Sequence, residues 1–289
     1  MKKITTLASA LLVAFALQAQ TSTAQPAAEE ENPIATISQN PGFCSIFHYW
    51  GFIGDSLCSG EFEYTKPDGS KGFWDCYEYA WGQRMCDLMG VKGEIFSKGG
   101  ETAKGWIKHF WDSNENKLHN CAKDTPKQVY MIALGVNDCN PKNVAKDNYV
   151  LGDFATDVNL SDYNQNAKTF IGCYAGIIQR LKEMQPEVKI FVVTMPRNGR
   201  DDYNDAIRMM AEKFSDVWVI DLNKYATDFY ASAEFKQLYK PDHHGHLNPA
   251  GYEYTAWEFM TYIDWIIRHN MPSFKEVGFM LPNAPQRVK

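Results

Sequence analysis

Apolar and polar positions alternate along the chain in two rhythms. Residues 47–53 form a nearly unbroken apolar and aromatic run, as do 129–134, 189–194 and 217–220, with a shorter run at 93–96. Short runs without polar alternation predict strands buried on both faces of a sheet. Between them apolar residues recur at steps of three and four. Trp74, Tyr77, Trp81, Met85 and Leu88 predict a helix over 73–88. A second helix passes through Trp106 and Phe110, and Ser161-Asp162 reads as the cap of a third that runs to about Met184, ahead of Pro186. Further helices are expected over about 205–214, 226–239 and 249–267. Residues 65–70 carry turn chemistry, and 141–160 have no clear period and read as an insertion. Strand and helix alternate about five times. That pattern calls for an α/β fold, a three-layer α/β/α flavodoxin-like sandwich around a roughly five-stranded parallel sheet.

Chemistry-bearing residues stand where these elements end. Gly54-Asp55-Ser56-Leu57 follows the first run, so the Ser56 hydroxyl is lifted out of the sheet. Gly135-Val136-Asn137-Asp138 closes the third run, and His246-Leu247-Asn248-Pro249 precedes the last helix. In an α/β sheet the strand ends are where a site assembles. A flavodoxin-like order would set the Ser56 and Asn137 turns side by side.

Taken in order and spacing, these residues resemble the SGNH (GDSL-type) esterase and lipase family, over about 47–267. The resemblance implies Ser56 as nucleophile and His246 as base, the latter in His246-Leu247-Asn248-Pro249-Ala250-Gly251. It implies an oxyanion hole made by the Ser56 and Gly100 backbone N–H groups and the Asn137 amide. Gly100, in Gly-Glu-Thr, fits the family's glycine better than Gly99, and a close backbone approach would explain why a Cβ is excluded there. The acid is less regular. The family usually places an Asp three residues before the His, but His243 stands there and Asp242 lies four before. Asp242 reaching through a one-residue bulge, a backbone carbonyl, and a Ser-His dyad are all compatible with this spacing. Asp55 and Asp138 are read as loop braces. Arg197, His243 and His244 are candidate substrate contacts. No metal or other cofactor is expected: adjacent histidines on a loop point apart, and no His-Glu-x-x-His pattern occurs.

Composition narrows the partners. The 289 residues are 45% hydrophobic with a formal net charge of -6. That suffices for one full core and gives no footprint for nucleic acid. Residues 1–24 read as a secretory signal, with Lys2 and Lys3 ahead of an apolar stretch at 7–17 that is too short to span a membrane. Residues 25–41 read as a flexible leader and 42–289 as a single domain with a surface tail after Met271. Export to the periplasm or medium follows, without stable membrane insertion. Seven cysteines leave at least one thiol unpaired within the monomer, and Cys58 and Cys139 read as packing residues near the site, with a bridge that stiffens the pocket as the alternative. Trp74, Trp81, Trp106 and Trp111 are assigned to the core.

The expected function is an exported serine esterase acting on a small-molecule or polysaccharide ester, foremost an O-acetyl group on a carbohydrate. A lysophospholipase or thioesterase is the alternative within the family. A non-catalytic carbohydrate-binding protein that keeps the fold is the alternative outside enzymes. The oligomeric state is not legible in the sequence.

Overall fold

The strand that carries the first apolar run lies in the interior of the sheet. In the computed structural model, which describes residues 30–38, 40, 42–113, 121–147, 149–240 and 245–277, this strand is β1 (Tyr49–Gly54). The chain divides into two units, Met1–Glu31 and Asn32–Lys289. In the first only Glu30 and Glu31 are described, both exposed, and the second contains all the strands and helices described. The expected signal sequence, residues 25–29, 39 and 41 of the expected leader and the end of the tail lie outside the described residues.

After β1 come the one-turn helix α1 (Ser56–Ser59), β2 (Glu61–Thr65), β3 (Lys71–Asp75), α2 (Trp81–Met89), β4 (Lys92–Ser97) and α3 (Ala103–Trp106). A π-helical turn continues α3 through Ile107–Asp112. Then follow β5 (Val129–Ala133), α4 (Pro141–Asp147), α5 (Phe154–Asp157), α6 (Phe170–Met184), β6 (Lys189–Val193), α7 (Asp201–Lys213) and β7 (Val217–Ile220). Three short helices, α8 (Leu222–Tyr225), α9 (Thr227–Ala231) and α10 (Ala233–Tyr239), precede α11 (Pro249–His269). The main sheet has the order β4-β1-β5-β6-β7, and all four pairings are parallel. This is the expected α/β sandwich, with β1 between β4 and β5, so their three C-terminal loops are neighbours.

The period of two along each strand divides the core. Trp50, Phe52, Met131, Phe191 and Val193 face α2 and α11, packing with Met85, Phe259 and Ile263. Ile53, Tyr130, Ile132, Ile190 and Val192 face the other way, against Trp106, Phe110, Ile177 and Ile207. Both faces are buried, which is why these strands read as continuous apolar runs.

Three expectations are corrected. Residues 71–75 are strand, not the start of a helix: β2 and β3 pair antiparallel as a hairpin. Its turn is closed by Lys66 N–H donating to the Ser70 carbonyl oxygen at 2.8 Å and Ser70 N–H donating to Asp68 Oδ1 at 2.9 Å. Trp74 is consequently 67% exposed instead of core, whereas Trp81 and Trp106 are buried as expected. Second, Asp162 caps only a 3-10 turn (Tyr163–Gln165), and α6 starts later, at a cap made by Thr169. Asn159 and Asn166 bond locally in between, with Asn159 N–H on Asn166 Oδ1 at 2.8 Å and Asn166 Nδ2 on the Gly172 carbonyl oxygen at 3.0 Å. Such side-chain bonds to backbone compete with a continuous helix. Third, the helix expected over 226–239 is broken where Ser232 recaps the chain by accepting from Phe235 N–H at 3.0 Å.

Candidate active site

Gly54 ends β1, and Asp55 caps the turn that follows by accepting from Leu57 N–H at 3.1 Å. Ser56 is the first residue of that turn. It lines a cavity of about 500 Å³ together with Glu61, Gly100, Asn137, Arg197 and His246. Four segments far apart in the chain thus deliver Ser56, Gly100, Asn137 and His246 to one wall of solvent-accessible space. Asp242, His243 and His244 lie outside the described residues.

The left-handed backbone of Gly100, with φ at +74°, favours glycine. A Cβ there would meet no protein atom within 4 Å, so it would project into the open cavity. Neither the Ser56 nor the Gly100 N–H donates to an acceptor among the described residues. Asn137 Nδ2 donates to the Glu101 carbonyl oxygen at 3.1 Å and, at a longer 3.4 Å, to Asp55 Oδ2. The Asn137 carbonyl oxygen in turn accepts from Asn143 Nδ2 at 2.8 Å.

Two buried carboxyls hold these loops. Burial pushes Asp55 up to about 6; Leu57 N–H opposes this, and so, more weakly, do the charges of Arg197 and His246. Burial likewise raises Asp138 to about 7, against the donors Ala103 N–H at 2.8 Å and Tyr149 hydroxyl at 2.9 Å. Asp138 joins the Asn137 loop to the start of α3, which follows Gly100. Both residues thus have the bracing geometry expected of them.

His246 has a partner the sequence did not announce. Its Nε2 lies 3.0 Å from Oε1 of Glu61, and the two side chains are 13% and 12% exposed. The Phe73 ring meets the imidazole edge-on, centroids 5.5 Å apart. Glu61 opens β2 and faces Asp75 across the hairpin. The pKa of Asp75 is raised, by burial first and by the neighbouring Glu61, while the Ser59 hydroxyl and Gly99 N–H, both donating to it, pull it down. Gly99 also makes room: a Cβ on it would overlap Glu61 Oε2. The signal in the sequence was Pro67-Asp68-Gly69 between two aromatic, β-prone runs, a hairpin pattern that sets Glu61 opposite Asp75.

Arg197 and Arg200 both line the cavity, with Asn140 and the rim of Phe73. Beneath the Ser56 turn lies a second cavity of about 440 Å³, largely apolar, with Leu57, Trp81, Leu134, Val193, Leu222 and Phe259 among its walls. Val136 and Arg197 border both. All seven cysteines are free. Cys58 and Cys139 are buried, and burial raises both thiols, so neither offers a thiolate. Among the described residues no group of three or more His, Cys, Asp or Glu side chains is arranged to hold a metal ion, and no helix is long and apolar enough to cross a membrane.

Solved structures are similar to this chain at low identity. A family two carbohydrate esterase from Cellvibrio japonicus matches with a TM-score of 0.50 and 13% identity, over 76% of this chain and 62% of that one. One from Clostridium thermocellum, in complex with cellohexaose, gives 0.48 and 13%, over 78% and 65%. A possible lipase from Chitinophaga pinensis DSM 2588 gives 0.44 and 16%, over 76% and 98%. The chain therefore spans a little under two thirds of those two carbohydrate esterases. No curated protein matches. The sequence model of the GDSL-like lipase/acylhydrolase family matches residues 52–254, which include Ser56, Gly100, Asn137 and His246, and the chain belongs to that family.

Proposed function

We propose that the protein hydrolyses a carboxylic ester through an acyl-enzyme on Ser56. The observation that carries this reading is the convergence of Ser56, Gly100, Asn137 and His246 on one cavity. Ser56 Oγ attacks the ester carbonyl carbon while His246 takes the hydroxyl proton. The oxyanion that forms is held by the Ser56 and Gly100 N–H groups and by Asn137 Nδ2, which exchanges its long bond to Asp55 for the oxyanion. Collapse breaks the ester C–O bond, and His246 returns the proton to the leaving alcohol. Water, deprotonated by His246, then releases the acid and restores Ser56. No cofactor takes part.

The substrate that fits best is an O-acetyl group on a carbohydrate, met outside the cytoplasm after export by the 1–24 signal. The amide and guanidinium groups of Asn140, Arg197 and Arg200 suit a polyol, and the exposed Phe73 ring offers a face for a sugar. The similar fold of the family two carbohydrate esterase from Cellvibrio japonicus is in keeping with this choice. The second reading, an ester or thioester with a longer acyl chain, is favoured by the apolar cavity beneath the Ser56 turn. Acetate release from an acetylated oligosaccharide, set beside a p-nitrophenyl ester series from acetate to octanoate, separates the two. Preference for acetate on the glycan supports the first and rising kcat/KM with chain length the second. Glycan binding without turnover of any ester would leave a binding protein.

A further inference from the structure

We propose that Glu61, carried by the hairpin that follows the nucleophile turn, is the carboxylate that orients His246. The inference deepens the esterase reading and rests on His246 being its base.

Three separate constraints fix the pair. The first is local: α1 ends at Gly60, whose left-handed backbone (φ 72°) turns the chain directly into β2, so Glu61 lies one short turn from Ser56. The second is tertiary. The Tyr252 hydroxyl donates to the Glu61 carbonyl oxygen at 2.8 Å, and Tyr252 belongs to α11, the helix that His246 precedes. One helix therefore anchors the strand of Glu61 and stands next to the His246 loop. The third is steric: Gly99, without a Cβ, leaves the space that Glu61 Oε2 occupies, and Phe73 closes the other side against the imidazole.

The chemistry follows from the contact of 3.0 Å. One ring N–H of His246 donates to Glu61, and the other ring nitrogen takes the Ser56 proton. The imidazolium formed in that step sits against the Glu61 carboxyl group and hands the same proton to the leaving alcohol. Glu61 touches no reacting atom and takes no proton in these steps, so it is a positioning residue that acts through His246. The family's usual acid precedes the base on its own loop, whereas here a carboxylate reaches the base from the nucleophile's side of the fold.

The test combines NMR titration of His246 with steady-state hydrolysis for wild type, Glu61→Gln, Glu61→Asp and Asp242→Asn. Removing the carboxylate charge should lower the imidazole pKa by about one pH unit, shift the acidic limb of kcat/KM to lower pH, and reduce kcat by roughly 10²–10⁴-fold with little change in KM. Glu61→Asp should recover part of both effects. Active wild type with an unaltered His246 titration and kcat in Glu61→Gln would overturn the inference and leave the esterase reading intact, as would the same losses appearing in Asp242→Asn alone. A lowered His246 pKa in Glu61→Gln, in a wild type that turns over no ester, would uphold the pair and remove the esterase reading.

Discussion

Asn137 spends its side-chain amide on two acceptors, the Glu101 carbonyl oxygen at 3.1 Å and Asp55 Oδ2 at 3.4 Å. The shorter bond fixes the amide beside the loop of Gly100, and the longer one is weak enough to exchange. Asn137 is therefore oriented before substrate arrives, as an oxyanion donor needs to be.

Asn137→Ala should lower kcat by roughly 10²–10³-fold, the usual loss for one oxyanion donor, with KM changed by only a small factor. Steady-state kinetics on a soluble aryl ester measures this. A change confined to KM would move Asn137 from transition-state stabilisation to substrate binding.

Gly99→Ala places a methyl group where the Glu61 carboxylate lies. The hairpin can yield by moving that side chain, so the protein should fold but lose the spacing between Glu61 and His246. A fall in kcat of roughly tenfold to a hundredfold is expected, since displacements near 1 Å carry such costs. The matched melting curve should shift by only a few degrees. Unchanged kcat would mean that the exact place of Glu61 is immaterial.

Arg197→Gln and Arg200→Gln remove the two guanidinium groups on the cavity wall. Each should raise KM for a glycan ester by roughly threefold to tenfold and leave kcat near wild type, the pattern of uniform binding. The same variants should behave as wild type on an aryl acetate. An equal effect on both substrates would assign the arginines to the shared acyl end.

Glu258, on α11 and 1% exposed, accepts from the Tyr230 hydroxyl at 2.7 Å, and burial raises its pKa from the ordinary 4.5 to about 7. In the folded state it keeps its proton to higher pH than in the unfolded chain. Its contribution to stability is full below pH 4.5 and is lost as pH rises through about 7. Glu258→Gln cannot ionise, so its denaturation midpoint should fall less than that of wild type between pH 5 and 8. The difference should reach a few kcal/mol at most, at about 1.4 kcal/mol for each tenfold change in proton affinity. Parallel pH profiles for the two proteins would mean that Glu258 is not protonated in the fold.

The sheet was legible because its inner strands β1, β5 and β6 are buried on both faces, and such strands read as apolar runs; the half-buried edge run 217–220 also matches the observed β7 (Val217–Ile220). Ser56, Gly100, Asn137 and His246 were legible because each stands at the end of an element, and the structure gathers them on one cavity. The contact of Glu61 with His246 was not, because it depends on a hairpin whose aromatic residues also fit a helical period. Read as helix, 73–75 gave no reason to fold Asp75 back beside Glu61. The late start of α6 was hidden for a different reason: Asp162 is a good cap, but the asparagines on either side of it bond to nearby backbone and delay the helix.

Whole-protein mass after incubation with a phosphonofluoridate probe tests Ser56 as a nucleophile activated by His246, without knowledge of the substrate. A single adduct on wild type, none on Ser56→Ala, and slow formation on His246→Ala are the expected results. Wild type that stays unmodified, or Ser56→Ala that still gains the adduct, would contradict the claim.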